Sequence, residues 1–125
     1  MRLPTRVHGV LDYLVGALLA ASPWLLGFAR GGAETWVPVM VGAATVAYSL
    51  FTDYELGAVR RLQMTVHLWL DAIGGIVLAA SPWVLGFDER VWLPHLAFGL
   101  FVAAAALVTD TIPSYERRRG RGRQP

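Results

Sequence analysis

Cysteine is missing from this chain of 125 residues, and so is lysine; all eleven basic residues are arginine. Without cysteine there can be no disulfide, no thiolate metal site and no thiol nucleophile. Charge is sparse, at 16% of residues against 55% hydrophobic residues, and the mean hydropathy is +0.47. That is more apolar than a soluble domain of this length usually is. Five of the arginines fall in the last nine positions, so the sequence pI of about 9.5 describes the tail and not a basic surface. A nucleic-acid-binding face needs a basic stripe across a folded surface; none is present, and nucleic acid is not an expected partner. Also lacking are a phosphate-binding loop, an HExxH zinc motif and a dinucleotide fingerprint, as well as any run of period-two alternation that would mark half-buried strands.

What the chain does contain is itself, twice. Residues 8–28 align with residues 67–87 at a constant offset of 59, without a gap, and thirteen of the twenty-one positions are identical. They are His8, Leu11, Asp12, Gly16, Leu19, Ala20, Ala21, Ser22, Pro23, Trp24, Leu26, Gly27 and Phe28, with their counterparts. After a short deletion the copies rejoin at Trp36-Val37-Pro38 and Trp92-Leu93-Pro94, and each ends near a Thr-Asp pair, Thr52-Asp53 and Thr109-Asp110. An internal duplication fixes the organisation: one domain over 1–116, with repeats at about 7–55 and 64–116, and a basic tail over 117–125.

Four apolar segments run approximately 7–26, 36–51, 64–85 and 91–108. A membrane span takes roughly 20 apolar residues, with about 17–25 tolerated, so each is long enough or nearly so. Small residues let helices approach closely in lipid, and Gly16, Gly42, Ala43, Ala47, Gly74, Gly75, Gly99 and Ala103 to Ala106 supply them inside the four segments. The expected fold is all-α, a four-helix transmembrane bundle built from two tandem parallel helical hairpins. Arg2, Arg6, Arg60, Arg61 and the tail arginines fall on one side, with only Arg30 and Arg90 opposite. Basic residues stay cytoplasmic, which predicts a multi-pass cell-membrane protein with both termini in the cytoplasm. Trp24, Trp36, Trp83 and Trp92 then share the outer boundary, as an aromatic belt requires. Residues 1–22 resemble a signal peptide ending in Ala20-Ala21-Ser22, but that ending recurs internally at Ala79-Ala80-Ser81, so the segment is expected to be retained. Parallel repeats also differ from the inverted pairs of many transporters.

The motif Ser22-Pro23-Trp24 returns as Ser81-Pro82-Trp83. Proline removes a helix donor, and the adjacent serine hydroxyl can satisfy the freed backbone group. Alternatively, serine caps a new turn that proline begins. Either way the motif shapes the outer end of spans one and three. Two copies of a two-helix unit with Ser-Pro-Trp closing its first helix resemble the SPW repeat family of small bacterial membrane proteins. The resemblance covers the chain to about Glu116. It implies a four-span integral membrane protein and supplies no activity, cofactor or catalytic residue.

The chemistry-bearing residues are His8 with Asp12, and His67 with Asp71. A spacing of four puts each pair on one helix face. Asp12 lies six residues beyond Arg6, about 9 Å deeper along the axis. A carboxylate at that depth should face the bundle and be paired, and it counts as a functional candidate. Asp53 and Asp110 end spans two and four, where negative charge opposes the helix dipole; with the two His-Asp pairs they would make a ring of six on the cytoplasmic half. Arg6, Arg61, His8 and His67 are candidate partners for that pair of aspartates. Three roles compete: a charge clasp between repeats, a proton or cation site in which histidine titrates near neutrality, and a two-His two-Asp metal or bis-histidine haem site. The clasp is the preferred reading, with no resident metal or cofactor. His95 stands where the first copy has Val39 and reads as an interface residue.

No catalytic constellation appears, because Ser22 and Ser81 lie at the opposite end from His8 and His67; an enzyme is not expected. The Arg- and Gly-rich tail is expected to be disordered and to meet anionic lipid. The lipid bilayer is the principal partner, and a homo-oligomer is compatible with the sequence. The functional reading is an integral membrane protein of structural or interaction type, with a small proton- or cation-conducting or sensing protein as the alternative.

Overall fold

The computed structural model describes residues 2–121. It is all-helical: α1 Thr5–Leu25, α2 Ala33–Leu50, α3 Met64–Val84, α4 Leu93–Val108 and α5 Ser114–Arg121. Helices α1 to α4 form the expected four-helix bundle, and no strand occurs among the described residues. Helix α5 corrects one expectation. The tail, read as disordered from Glu116, is helical as far as Arg121, and residues 122–125 lie outside the described residues.

Each hairpin closes through glycine. A Cβ on Gly42 would stand 2.5 Å from the Gly16 carbonyl oxygen, and one on Gly75 would stand 2.6 Å from that of Gly99. The backbones of α1 and α2, and of α3 and α4, therefore touch at equivalent points, and no side chain fits between them.

The hairpins are joined by matched backbone bonds. Leu3 bridges Thr109, and Leu62 bridges Thr52, both in parallel. The amide of Asp110 donates to the Leu3 carbonyl at 2.9 Å, and that of Asp53 to the Leu62 carbonyl at 2.7 Å. The segment before α1 is thus tied to the end of α4, as the segment before α3 is tied to the end of α2.

The buried set is unusually polar. Thr5, His8, Asp12, His67, Asp71 and His95 lie inside, whereas Leu14, Leu18, Met40, Ile76, Val84 and Leu107 are exposed. By length and composition α3 is long and apolar enough to cross a membrane, and it alone meets that test among the described helices. Helix α4 is apolar but has 16 residues, about 24 Å at 1.5 Å per residue.

Candidate functional site

Helix periodicity brings His8 and Asp12 one turn apart on α1, and His67 and Asp71 one turn apart on α3. The two faces meet. His8 Nε2 lies 2.7 Å from Asp71 Oδ2 and 3.1 Å from Asp12 Oδ1; His67 Nε2 lies 3.0 Å from Asp12 Oδ2 and 3.1 Å from Asp71 Oδ2. Each imidazole therefore reaches one carboxylate of its own repeat and one of the other. The rings stand edge to face, with centroids 5.5 Å apart, and no member is more than 5% exposed.

The far side of each ring fixes its tautomer. His67 Nδ1 is 2.6 Å from Thr52 Oγ1, and His8 Nδ1 is 2.8 Å from Thr109 Oγ1. Each threonine spends its only hydroxyl proton on the carbonyl one turn back, Thr52 on Tyr48 at 2.7 Å and Thr109 on Ala105 at 2.5 Å. A hydroxyl so committed can only accept from the ring. Both Nδ1 atoms therefore carry hydrogen and donate, and both Nε2 atoms face the carboxylates. Bringing Nε2 this close to carboxylate oxygen requires positive charge between them, either a proton on the ring or a metal ion.

Two tyrosines complete the cluster. Tyr48 donates to Asp71 Oδ1, and Tyr54 donates to Asp12 Oδ2 at 2.9 Å. Burial, reinforced by the Asp12 charge, raises the Tyr54 pKa above its ordinary value, so it stays a donor. A cavity of about 20 Å3 beside His8, Asp12, Thr45 and Phe101 has room for about one water molecule.

The expected ring of six is a cluster of four. Asp53 accepts from the Tyr115 hydroxyl instead, and the group of mutually close donor atoms is His8, Asp12, His67 and Asp71, without Asp110. The chain turns at Thr52 and Thr109 to make the two bridges, so in each Thr-Asp pair the threonine enters the cluster. The signal for the threonines was the repeated pair itself. The tyrosines had none, because at the spacing of Thr52 and Thr109 their positions in the second copy hold Ala105 and Thr111. Tyr115 is held near its neutral form, its pKa pushed up to about 12 by burial and by Asp53, and Arg60 lies 4.9 Å over its ring.

At the other end of the helices, the Ser-Pro-Trp motif resolves the choice posed by the sequence. Pro23 cannot donate to the carbonyl of Leu19 four residues back, and the Ser22 hydroxyl donates there instead, at 2.7 Å. Ser81 does the same for Leu78 before Pro82, also at 2.7 Å. Helix α1 continues through the proline to Leu25, and the chain turns away at Gly27, whose φ is +74°. There the Phe28 amide bonds the Pro23 carbonyl at 2.8 Å and the Gly27 amide bonds that of Trp24 at 3.4 Å, a Schellman closure. Serine does not begin a new helix. Trp24 packs against Trp36, and Trp83 against Trp92, with centroids 6.4 and 6.1 Å apart.

His95 joins the repeats as an interface residue. Its Nε2 lies 2.8 Å from the Glu34 carbonyl oxygen, and its ring packs against Phe28 and Phe87.

An all-α bundle of two glycine-closed hairpins, joined at one end by a histidine and aspartate cluster and shaped at the other by Ser-Pro-Trp, defines the class. Residues 6–109 match the SPW repeat domain. The chain belongs to the SPW repeat family. No curated protein and no solved structure matches it.

Proposed function

We propose that this is a multi-pass integral membrane protein of structural or interaction type, in which the His-Asp cluster clasps one hairpin to the other. The carrying observation is that His8 and His67 each lie within 3.1 Å of both carboxylates, one of which belongs to the opposite repeat. Apolar side chains outside and ionisable ones inside support a lipid surrounding, since an intramembrane charge must face the bundle and be paired. The family and the span-length α3 support it too. Trp24, Trp36, Trp83 and Trp92 are all exposed near one end, the place of an interfacial belt. Arginine on the opposite side supports cytoplasmic termini and attraction of anionic lipid to Arg118 and Arg119. No reaction is part of this reading: the hydroxyls of Ser22 and Ser81 are committed to backbone carbonyls.

Direct contacts and room for about one water molecule favour a clasp over a conducting path. The test is Asp12→Asn with Asp71→Asn, read as thermal stability in detergent and as proton or cation flux in liposomes. Breaking a buried charge pair by removing one partner costs about 3–5 kcal/mol. A clasp loses stability on that scale, and neither form passes ions. Flux that the substitutions abolish would replace the clasp with the conducting alternative.

A further inference from the structure

We infer that His8, Asp12, His67 and Asp71 form a binding site for one divalent transition metal ion of the zinc class. The proposal deepens the clasp reading and rests on the same gathering of four side chains. Four donor atoms, one from each residue, lie within 4.8 Å of one another, and all four residues are buried. A tetrahedral ion with bonds of about 2.0–2.2 Å holds its donors about 3.4 Å apart. The nitrogen–oxygen separations of 2.7–3.1 Å, in which Asp12 turns one carboxylate oxygen to each histidine, fall short of that by about 0.3–0.7 Å, so the donors must open slightly to admit the ion.

Three further features fit a metal. His67 Nε2 is buried, points between the two carboxylates and has no aligned hydrogen-bond partner. An electron pair there suits a cation placed equally between Asp12 and Asp71. Thr52 and Thr109 hold both Nδ1 hydrogens, the arrangement in which the opposite nitrogen coordinates and the ring cannot swing away. Tyr48 and Tyr54 hold the carboxylates in turn.

Charge and donor type select the ion. Two carboxylates and two neutral imidazoles sum to −2, which one divalent ion cancels inside an apolar bundle. Mixed nitrogen and oxygen donors without sulfur suit zinc, cobalt, nickel or iron in the divalent state. They do not suit calcium or magnesium, which take oxygen, or copper(I), which takes thiolate and thioether.

The experiment uses the full-length protein in detergent, stripped with a chelator and titrated with Zn2+ and, separately, with Co2+. The expected result is one ion per chain by elemental analysis after desalting, a raised Tm with Zn2+, and the visible absorption of tetrahedral cobalt. His8→Gln with His67→Gln should abolish all three, Asp53→Asn should leave them intact, and Thr52→Val should weaken Zn2+ binding about 10–100-fold. Wild-type protein that retains no ion overturns the proposal, and so does equal retention by the double histidine variant. The clasp fails separately. If the wild type binds no metal but Asp12→Asn with Asp71→Asn loses stability, the metal site falls and the clasp stands. If the wild type binds one ion while those aspartate substitutions leave the stripped protein as stable as before, the clasp falls and the metal site stands.

Discussion

Single side chains in this protein repeatedly hold backbone or ring groups that would otherwise go unsatisfied. Ser22 and Ser81 each supply the donor that the following proline cannot, to Leu19 and to Leu78. A buried acceptor left without its partner costs about 1–3 kcal/mol. Ser22→Ala and Ser81→Ala should therefore each lower stability by that amount, and the two together by about the sum, since the sites lie on separate helices. Chemical denaturation of the wild type and the three variants checks it. Pro82→Ala should lessen the cost of Ser81→Ala, because alanine restores an amide donor to the Leu78 carbonyl. An equal cost in both backgrounds would mean that serine acts elsewhere. Thr52 and Thr109 follow the same logic, and this is why they escaped the sequence reading. A threonine ending an apolar helix has an ordinary local explanation, and only the fold shows that its oxygen also takes a ring hydrogen.

Between elements, the duplication made much of the architecture legible. An offset of 59 carries His8 onto His67, Asp12 onto Asp71 and Gly16 onto Gly75, so the hairpins and the two acid–imidazole pairs could be placed together. Of the features without a repeat partner, His95 could be read and the others could not. Tyr48 and Tyr54 come from the first copy alone, and α5 arises in a stretch whose arginine and glycine content resembles a solvated tail. Asp53 and Asp110 stand outside the cluster for a geometric reason: the chain leaves α2 and α4 in extended bridges to Leu62 and Leu3, which position at the end of a span does not reveal. Neighbouring glycines of α3 test the packing side of this. A Cβ on Gly75 would stand 2.6 Å from the Gly99 carbonyl and 2.8 Å from the Ala103 nitrogen, whereas one on Gly74 would meet nothing within 4 Å. Gly75→Ala must push α3 and α4 apart, at about 1–3 kcal/mol. Gly74→Ala adds only helix propensity and should stabilise by about 0.5–1 kcal/mol. Opposite signs at adjacent positions, read as Tm shifts, are the expected result, and a loss at both would show that the α3–α4 contact is not where the glycine is needed.

For the molecule as a whole, the proposed membrane reading must account for how four helices of unequal length would share one apolar slab. Helix α1 and α3 have 21 residues each, about 31 Å, close to the roughly 30 Å of a bilayer core. Helix α4 has 16, about 24 Å, and cannot lengthen at either end. Thr109 is bridged to Leu3, and Trp92 is packed on Trp83. A short span is accommodated by local thinning at a fraction of a kcal/mol per ångström, a small cost beside the pairing that the cluster provides. The proposed arrangement makes a definite demand on accessibility. Loops containing Arg30 and Glu89 must lie on one side of the membrane, and those containing Val59 and Ile112 on the other. Because the chain has no cysteine, single substitutions report without background. Arg30→Cys and Glu89→Cys should react with an impermeant maleimide in intact cells, while Val59→Cys and Ile112→Cys should react only after permeabilisation. The reverse pattern would preserve the four spans and overturn the cytoplasmic termini. Labelling of Arg30→Cys and Val59→Cys from the same side would mean that α2 does not cross, and the membrane reading of the first hairpin would fall with it.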